Sequence, residues 1–131
     1  MSSKTYPRRQ LSRNGPHVSA IGYGTMAIGA FYGKTDKDEA FKTLTYAADR
    51  GVTFWDTADC YGDSEAVIGQ WLKETGRHSD IILATKFGYQ NQDLQDRKPY
   101  SKPSYIRKAL ERSLKNLQTD YIDIWYQQLE G

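Results

Sequence analysis

Short apolar runs alternate with longer stretches whose apolar residues recur at helical spacing, and this beat most restricts what the chain can fold into. Residues 21–26, 52–56, 81–86 and 121–126 read as strands. The third of them, Ile81-Ile82-Leu83-Ala84-Thr85-Lys86, is almost continuously apolar, as expected of a strand buried on both faces of a parallel sheet. Between the strands, residues 35–50 read as a helix with Thr35 as N-cap, an inward stripe of Phe41, Leu44, Ala47 and Ala48, and Gly51 closing it. Residues 64–74 read as a second helix, with Val67, Ile68, Trp71 and Leu72 inward. A third starts at Pro103 and carries Ile106, Leu110, Leu114 and Leu117. Ahead of all these, Asn14-Gly15-Pro16 flanked by Gln10-Leu11 and Val18-Ser19 predicts a hairpin, and residues 88–101 read as a polar loop.

Strands that alternate with helices imply parallel strands joined by right-handed crossovers. Two architectures satisfy that pattern: an open doubly wound sheet and a piece of a (β/α)8 barrel. Gly22-Tyr23-Gly24-Thr25-Met26-Ala27 has the first two glycines of the dinucleotide-binding turn but lacks the third, so that fingerprint fails.

The formal net charge is only +2 and the charges are mixed along the chain. The densest basic stretch, residues 4–13, is short, and residues 1–9 read as a solvated arm ahead of a domain spanning 10–131. No basic stripe continues into a structured element, so nucleic-acid binding is not expected. A single cysteine permits no internal disulfide and fits a reducing compartment. No run is long enough to span a bilayer and none resembles a signal peptide, so no membrane association is expected and the cytoplasm is the expected location. His17 and His78 have no second ligand at metal spacing, and no metal site is expected. With 38% hydrophobic residues and a mean hydropathy of −0.75 the chain is on the polar side, which hints that part of its core is supplied from elsewhere.

In parallel α/β folds chemistry sits at the carboxyl ends of the strands. Here the second strand ends in Asp56, with Tyr61 in the loop beyond it, the third ends in Lys86, and the fourth ends in Gln127-Gln128. An acid, a phenol and an amine thus meet on one rim, a set suited to proton donation. A free phenol titrates near about 10, and a neighbouring ammonium favours its ionised form. Asp56 would supply the counter-charge that a buried lysine needs. From spacing alone, the same residues also fit an ordinary ion pair beside a loop aromatic.

The stretch Gly51-Val52-Thr53-Phe54-Trp55-Asp56-Thr57-Ala58-Asp59-Cys60-Tyr61-Gly62 resembles the signature of the aldo-keto reductases. Val18-Ser19-Ala20-Ile21-Gly22-Tyr23-Gly24-Thr25-Met26 is similar to that family's opening strand, and Thr85-Lys86-Phe87-Gly88 to its lysine strand. Ser113-Leu114-Lys115-Asn116-Leu117-Gln118-Thr119-Asp120-Tyr121-Ile122-Asp123 is similar to its third helix and fourth strand. The wording of these motifs resembles the branch that includes pyridoxal reductases. The resemblance implies a TIM (β/α)8 barrel of which this chain holds the first four strands, preceded by a hairpin that plugs the bottom. It also implies NADPH-dependent reduction of an aldehyde or ketone, a small-molecule carbonyl substrate, with NAD not excluded. By position, Tyr61 is the proton donor, Lys86 tunes it and Asp56 holds the lysine, while Gly24, Thr25, Met26 and Asp56 lie by the cofactor.

Two departures qualify this. The family pattern places a histidine where this chain has Gln128, which can donate a hydrogen bond to a carbonyl oxygen but cannot shuttle a proton. A complete barrel is also about twice this length, so a truncated or non-catalytic relative that binds a cofactor or a partner is the alternative reading. A four-stranded piece leaves its first and fourth strands as open edges, through which self-association is expected. Among other residues near the rim, Cys60 is expected to be a small filler behind it, Trp55 to pack against helices, and Trp125 and Tyr126 to serve the core rather than border a pocket.

Overall fold

A computed structural model of the protein describes residues 6–29, 32–89 and 98–128. An antiparallel hairpin comes first, β1 (Arg8–Gln10) against β2 (His17–Ser19), with Arg9 opposite Val18. The strand therefore begins at Arg8, inside the stretch expected to be a free arm. Four parallel strands follow, β3 (Gly22–Gly24), β4 (Phe54–Asp56), β5 (Ile82–Phe87) and β6 (Ile124–Gln127), hydrogen-bonded in that order. Helices α1 (Lys37–Asp49), α2 (Ser64–Thr75) and α3 (Pro103–Leu117) form the crossovers.

The strand order decides between the two architectures. A doubly wound sheet reverses its order partway and places helices on both faces. Here the order runs straight through, and residues of all three helices share one core with Trp55 and Leu83 on a single face of the sheet. The chain is a partial (β/α)8 barrel. Trp55 and Trp71 are fully buried at its centre, with ring centroids 4.8 Å apart. Their indole N–H groups donate to Val52 O and Thr45 Oγ1, so neither is left unsatisfied.

The hairpin is fastened to the amino-terminal end of the sheet by Ser19. This buried hydroxyl accepts from the backbone N–H groups of Thr53 and Phe54 and donates to Ile21 O. It satisfies donors at the start of β4 that would otherwise be orphaned.

The strands β4 and β6 begin two and three residues later than expected, and local details depart from the sequence expectations in three further places. Thr35 is not the N-cap of α1. Asp36 is, its Oδ1 accepting from Asp38 N at 2.9 Å and Glu39 N at 3.2 Å, while the Thr35 hydroxyl donates to Ala27 O. A carboxylate at this position also complements the positive end of the helix dipole. The glycine-rich first strand is shorter than expected, because Met26–Gly29 winds into a 3-10 turn. On α3 the buried positions are Ala109, Ser113 and Leu117, and Ile106, Leu110 and Leu114 are only half-buried. Near Leu117 the helix α2 comes so close that a Cβ on Gly69 would fall 2.2 Å from Asn116 O. The displaced leucines line a groove with Tyr121, Ile122 and Trp125 beside β6. Of the expected polar loop, 90–97 lies outside the described residues; its ends meet in a bridge between Tyr89 and Pro99.

Among the described residues, no helix is long and apolar enough to cross a membrane, and no group of three or more His, Cys, Asp and Glu side chains is placed to hold a metal ion.

Candidate active site

Alternation along β4 sends Trp55 to the helices and Phe54 and Asp56 to the other face. On that face, at the carboxyl ends of the strands, Lys86 is the organising group. Its side chain is 9% exposed, and its ammonium lies 2.6 Å from Asp56 Oδ2. It also donates to Thr57 O at 2.9 Å and to the Tyr61 hydroxyl at 3.3 Å. Those three acceptors match the three N–H donors an ammonium has. The three residues singled out as an acid, a phenol and an amine are thus one cluster.

Burial pushes the Lys86 ammonium toward losing its proton, but the hydrogen bond and charge of Asp56, helped by the Tyr61 and Tyr126 hydroxyls, outweigh it and raise its pKa above the ordinary 10.5. Lys86 therefore stays charged through neutrality. Its stabilising contribution is fully present below pH 10.5 and is lost as pH rises through the higher folded value. Asp56 is 37% exposed, so solvent weakens the pair. Lys86→Met is expected to cost about 1–2 kcal/mol at pH 7, with the deficit shrinking above pH 10.5. Urea unfolding of both proteins at pH 7 and pH 11 checks this; an equal deficit at both would show that the lysine's charge is not what stabilises.

The loop carrying Tyr61 is held by backbone contact. Gly29, at the end of the 3-10 turn, packs so tightly that a Cβ there would fall 1.9 Å from Tyr61 O. Gly62 approaches Gly29 from the other side with φ of +54°, a conformation that favours glycine. Beneath the rim, a buried hydroxyl cluster ties the strand ends together. Ser64 Oγ lies 3.0 Å from both Thr57 Oγ1 and Thr25 Oγ1. Thr25 donates through both its N–H and its hydroxyl to Asp56 O.

The remaining expected site residues divide. Gly24 stands in register with Asp56, and a Cβ there would meet nothing within 4 Å, so the end of β3 opens onto free space. Met26 is half-buried in the turn beyond. Thr25 is fully buried with its hydroxyl committed to the cluster, so its side chain holds the strand end together instead of facing the open rim. Gln128 donates its backbone N–H to Phe87 O at 2.7 Å, and its side-chain oxygen accepts from the Cys60 thiol at 3.1 Å. Cys60 is 2% exposed, a buried group behind the rim.

Tyr126 overturns the expectation that it serves the core. Its hydroxyl donates to Asp56 Oδ1 at 2.5 Å and its ring is 39% exposed. The register of β6 on β5 places it there: Tyr126 is the partner of Lys86, so the two side chains share a face. Trp125, on the opposite face, packs against Phe87 with centroids 4.3 Å apart, as a packing residue should. An ion pair to buried Asp59 and the partners of buried Glu65, both behind the site, also escaped the sequence reading. Arg112 on α3 reaches Asp59 Oδ2 at 2.8 Å, and buried Glu65 accepts from Thr85 and Asn116. Nothing in local spacing links residues this far apart.

Known proteins share the sequence pattern and the fold of this chain. The profile described as the Aldo/keto reductase family matches residues 20–128. The chain is 47% identical over 123 residues to the aldo-keto reductase yakc [NADP(+)] of Schizosaccharomyces pombe, covering 92% of this chain and 36% of that protein. It superposes on the aldo-keto reductase AKR11C1 of Bacillus halodurans, in its holo form, with a TM-score of 0.81 and 36% identity, over 93% of this chain and 40% of that one. An aldo-keto reductase from Klebsiella pneumoniae in complex with NADPH gives a TM-score of 0.72 and 29% identity, over 88% and 37%. The chain thus spans a little over a third of the length of the curated relative.

Proposed function

The chain belongs to the aldo/keto reductase family, and from that premise we propose that it carries the proton-donating half of an NADPH-dependent reductase of aldehydes or ketones. The single observation that supports this most is the Lys86 ammonium bound at once to Asp56 and to the Tyr61 hydroxyl. Tyr61 gives its proton to the carbonyl oxygen as negative charge develops there. Lys86, donating to that same phenolic oxygen, stabilises the charge left behind. Asp56 keeps the lysine charged and in place.

The open space at Gly24 beside Asp56 suits a flat ring laid across the ends of β3 and β4. Gly24, Met26 and Asp56 would hold the nicotinamide there, and a reduced nicotinamide, when bound, supplies the hydride. Relatives named for NADP(+) or solved with NADPH support the phosphorylated cofactor, with NAD as the competitor in the same assay. Gln128 offers a hydrogen bond to orient the substrate and no proton.

The test is titration of the purified chain with NADPH by cofactor fluorescence, followed by a screen for carbonyl-dependent NADPH oxidation. Saturable binding with turnover of an aldehyde or ketone is the expected result. Gln128 favours a second reading, a relative that binds cofactor without reducing a substrate. Binding with no turnover across an aldehyde and ketone panel would select that reading.

A further inference from the structure

Lys86 has three N–H groups and three acceptors, so its aim at Tyr61 is set by whatever holds the other two. One is Thr57 O, fixed in the backbone. The other is the Asp56 carboxylate, which can turn about its own side-chain bond and is 37% exposed to water. A carboxylate bound through one oxygen alone would be free to swing. Tyr126 supplies what prevents that: Oδ2 of Asp56 takes the lysine, and Oδ1 takes the Tyr126 hydroxyl. The phenol reaches across β5 to do so, since Tyr126 stands in register with Lys86 and not with Asp56. Its ring centroid lies 5.5 Å from the ammonium, and that of Tyr61 lies 4.8 Å from it, so two tyrosine rings flank one cation.

We propose that Tyr126 is a positioning residue, whose hydroxyl locks the Asp56 carboxylate and through it aims the last N–H of Lys86 at Tyr61. This rests on the proposed role of Tyr61 as proton donor. Tyr126 is not itself the donor. Its phenol is pushed up to about 12 by burial first and then by the hydrogen bond and charge of Asp56, which together outweigh the opposing charge and hydrogen bond of Lys86. Its proton is therefore held toward Asp56 and not offered to a substrate.

The lock makes predictions that a merely structural tyrosine would not. In Tyr126→Phe the ring and its contact with the ammonium remain while the hydroxyl is lost. Turnover is expected to fall about tenfold, with the KM for the carbonyl changed far less. The Lys86 ammonium, followed by NMR of labelled lysine and assigned with Lys86→Met, is expected to titrate lower than in the parent because its contact with Asp56 loosens. A turnover, pH profile and Lys86 titration all equal to the parent's would overturn the proposal. The contact itself is tested in the folded parent and in Asp56→Asn by the Tyr126 phenol signal. It should titrate near 12 in the parent and clearly lower in the variant, and an unchanged titration would also overturn the lock. If the parent shows no turnover at all, the reading of the site as a reductase fails, and the two titrations alone decide the role of Tyr126.

Discussion

Replacing Tyr61 by phenylalanine is expected to cut carbonyl reduction by about a thousandfold, within the range typical of general acids. NADPH binding should survive, since the substitution removes one oxygen atom and leaves the ring beside Lys86. The physical reason lies in where the proton sits. The Tyr61 hydroxyl accepts from the Lys86 ammonium, so in the proposed reaction it is the phenol placed to give a proton to the carbonyl. Phenylalanine keeps the packing and deletes both the proton and the oxygen that would hold the charge. Rates with saturating aldehyde and cofactor, alongside a fluorescence titration of NADPH, separate the two effects. Turnover within about threefold of the parent's would remove Tyr61 from the role of donor. Loss of cofactor binding in parallel would point to a disturbed rim.

The second large effect is expected from a single methyl group far less conspicuous in the sequence. Gly29→Ala places a Cβ where Tyr61 O and Tyr61 C now lie, at 1.9 Å and 2.5 Å. Neither is the flexible end of a side chain, so the backbone of one segment must move. Overpacking of this kind costs about 1–3 kcal/mol. The segment that yields carries Tyr61, so turnover should fall with stability. Gly24→Ala is the control for stability, because its added Cβ meets nothing within 4 Å. Urea denaturation of both variants checks the contrast. Equal stability of the two would mean that the 3-10 turn gives way freely and does not hold the loop.

The two experiments probe different layers of one device. In the proposed reaction Tyr61 carries the chemistry, and its placement depends on a backbone contact to Gly29, on the lysine that donates to it, and on an aspartate tied at both oxygens. Behind these, Arg112 and Asp59 join α3 to the same loop, and Ser64 joins α2 to the ends of β3 and β4. The helices therefore do more for the site than cover the sheet.

Much of this was legible in the order of residues. The alternation of apolar runs and helical stripes determined the parallel strands, because strand and helix periods of two and 3.6 leave separate marks in any chain. The signature around Asp56 and Tyr61, with Lys86 ending the next strand, determined which side chains meet, since parallel strands bring their carboxyl ends to one rim. Contacts across elements were decided only by the tertiary structure. Asp36 caps α1 in place of Thr35 because its carboxylate reaches the two free N–H groups. Ala109, Ser113 and Leu117 of α3 face the core while Ile106, Leu110 and Leu114 are only half-buried, because the packing of α3 on α2 and β5 sets which of its faces turns inward. Tyr126 enters the site because β6 pairs with β5 at a register that sets it beside Lys86, and a one-residue slip would have turned it to the helices. Local sequence sets periodicity and chemistry, whereas register and helix separation arise from the packing of the whole, and those quantities aim the lysine.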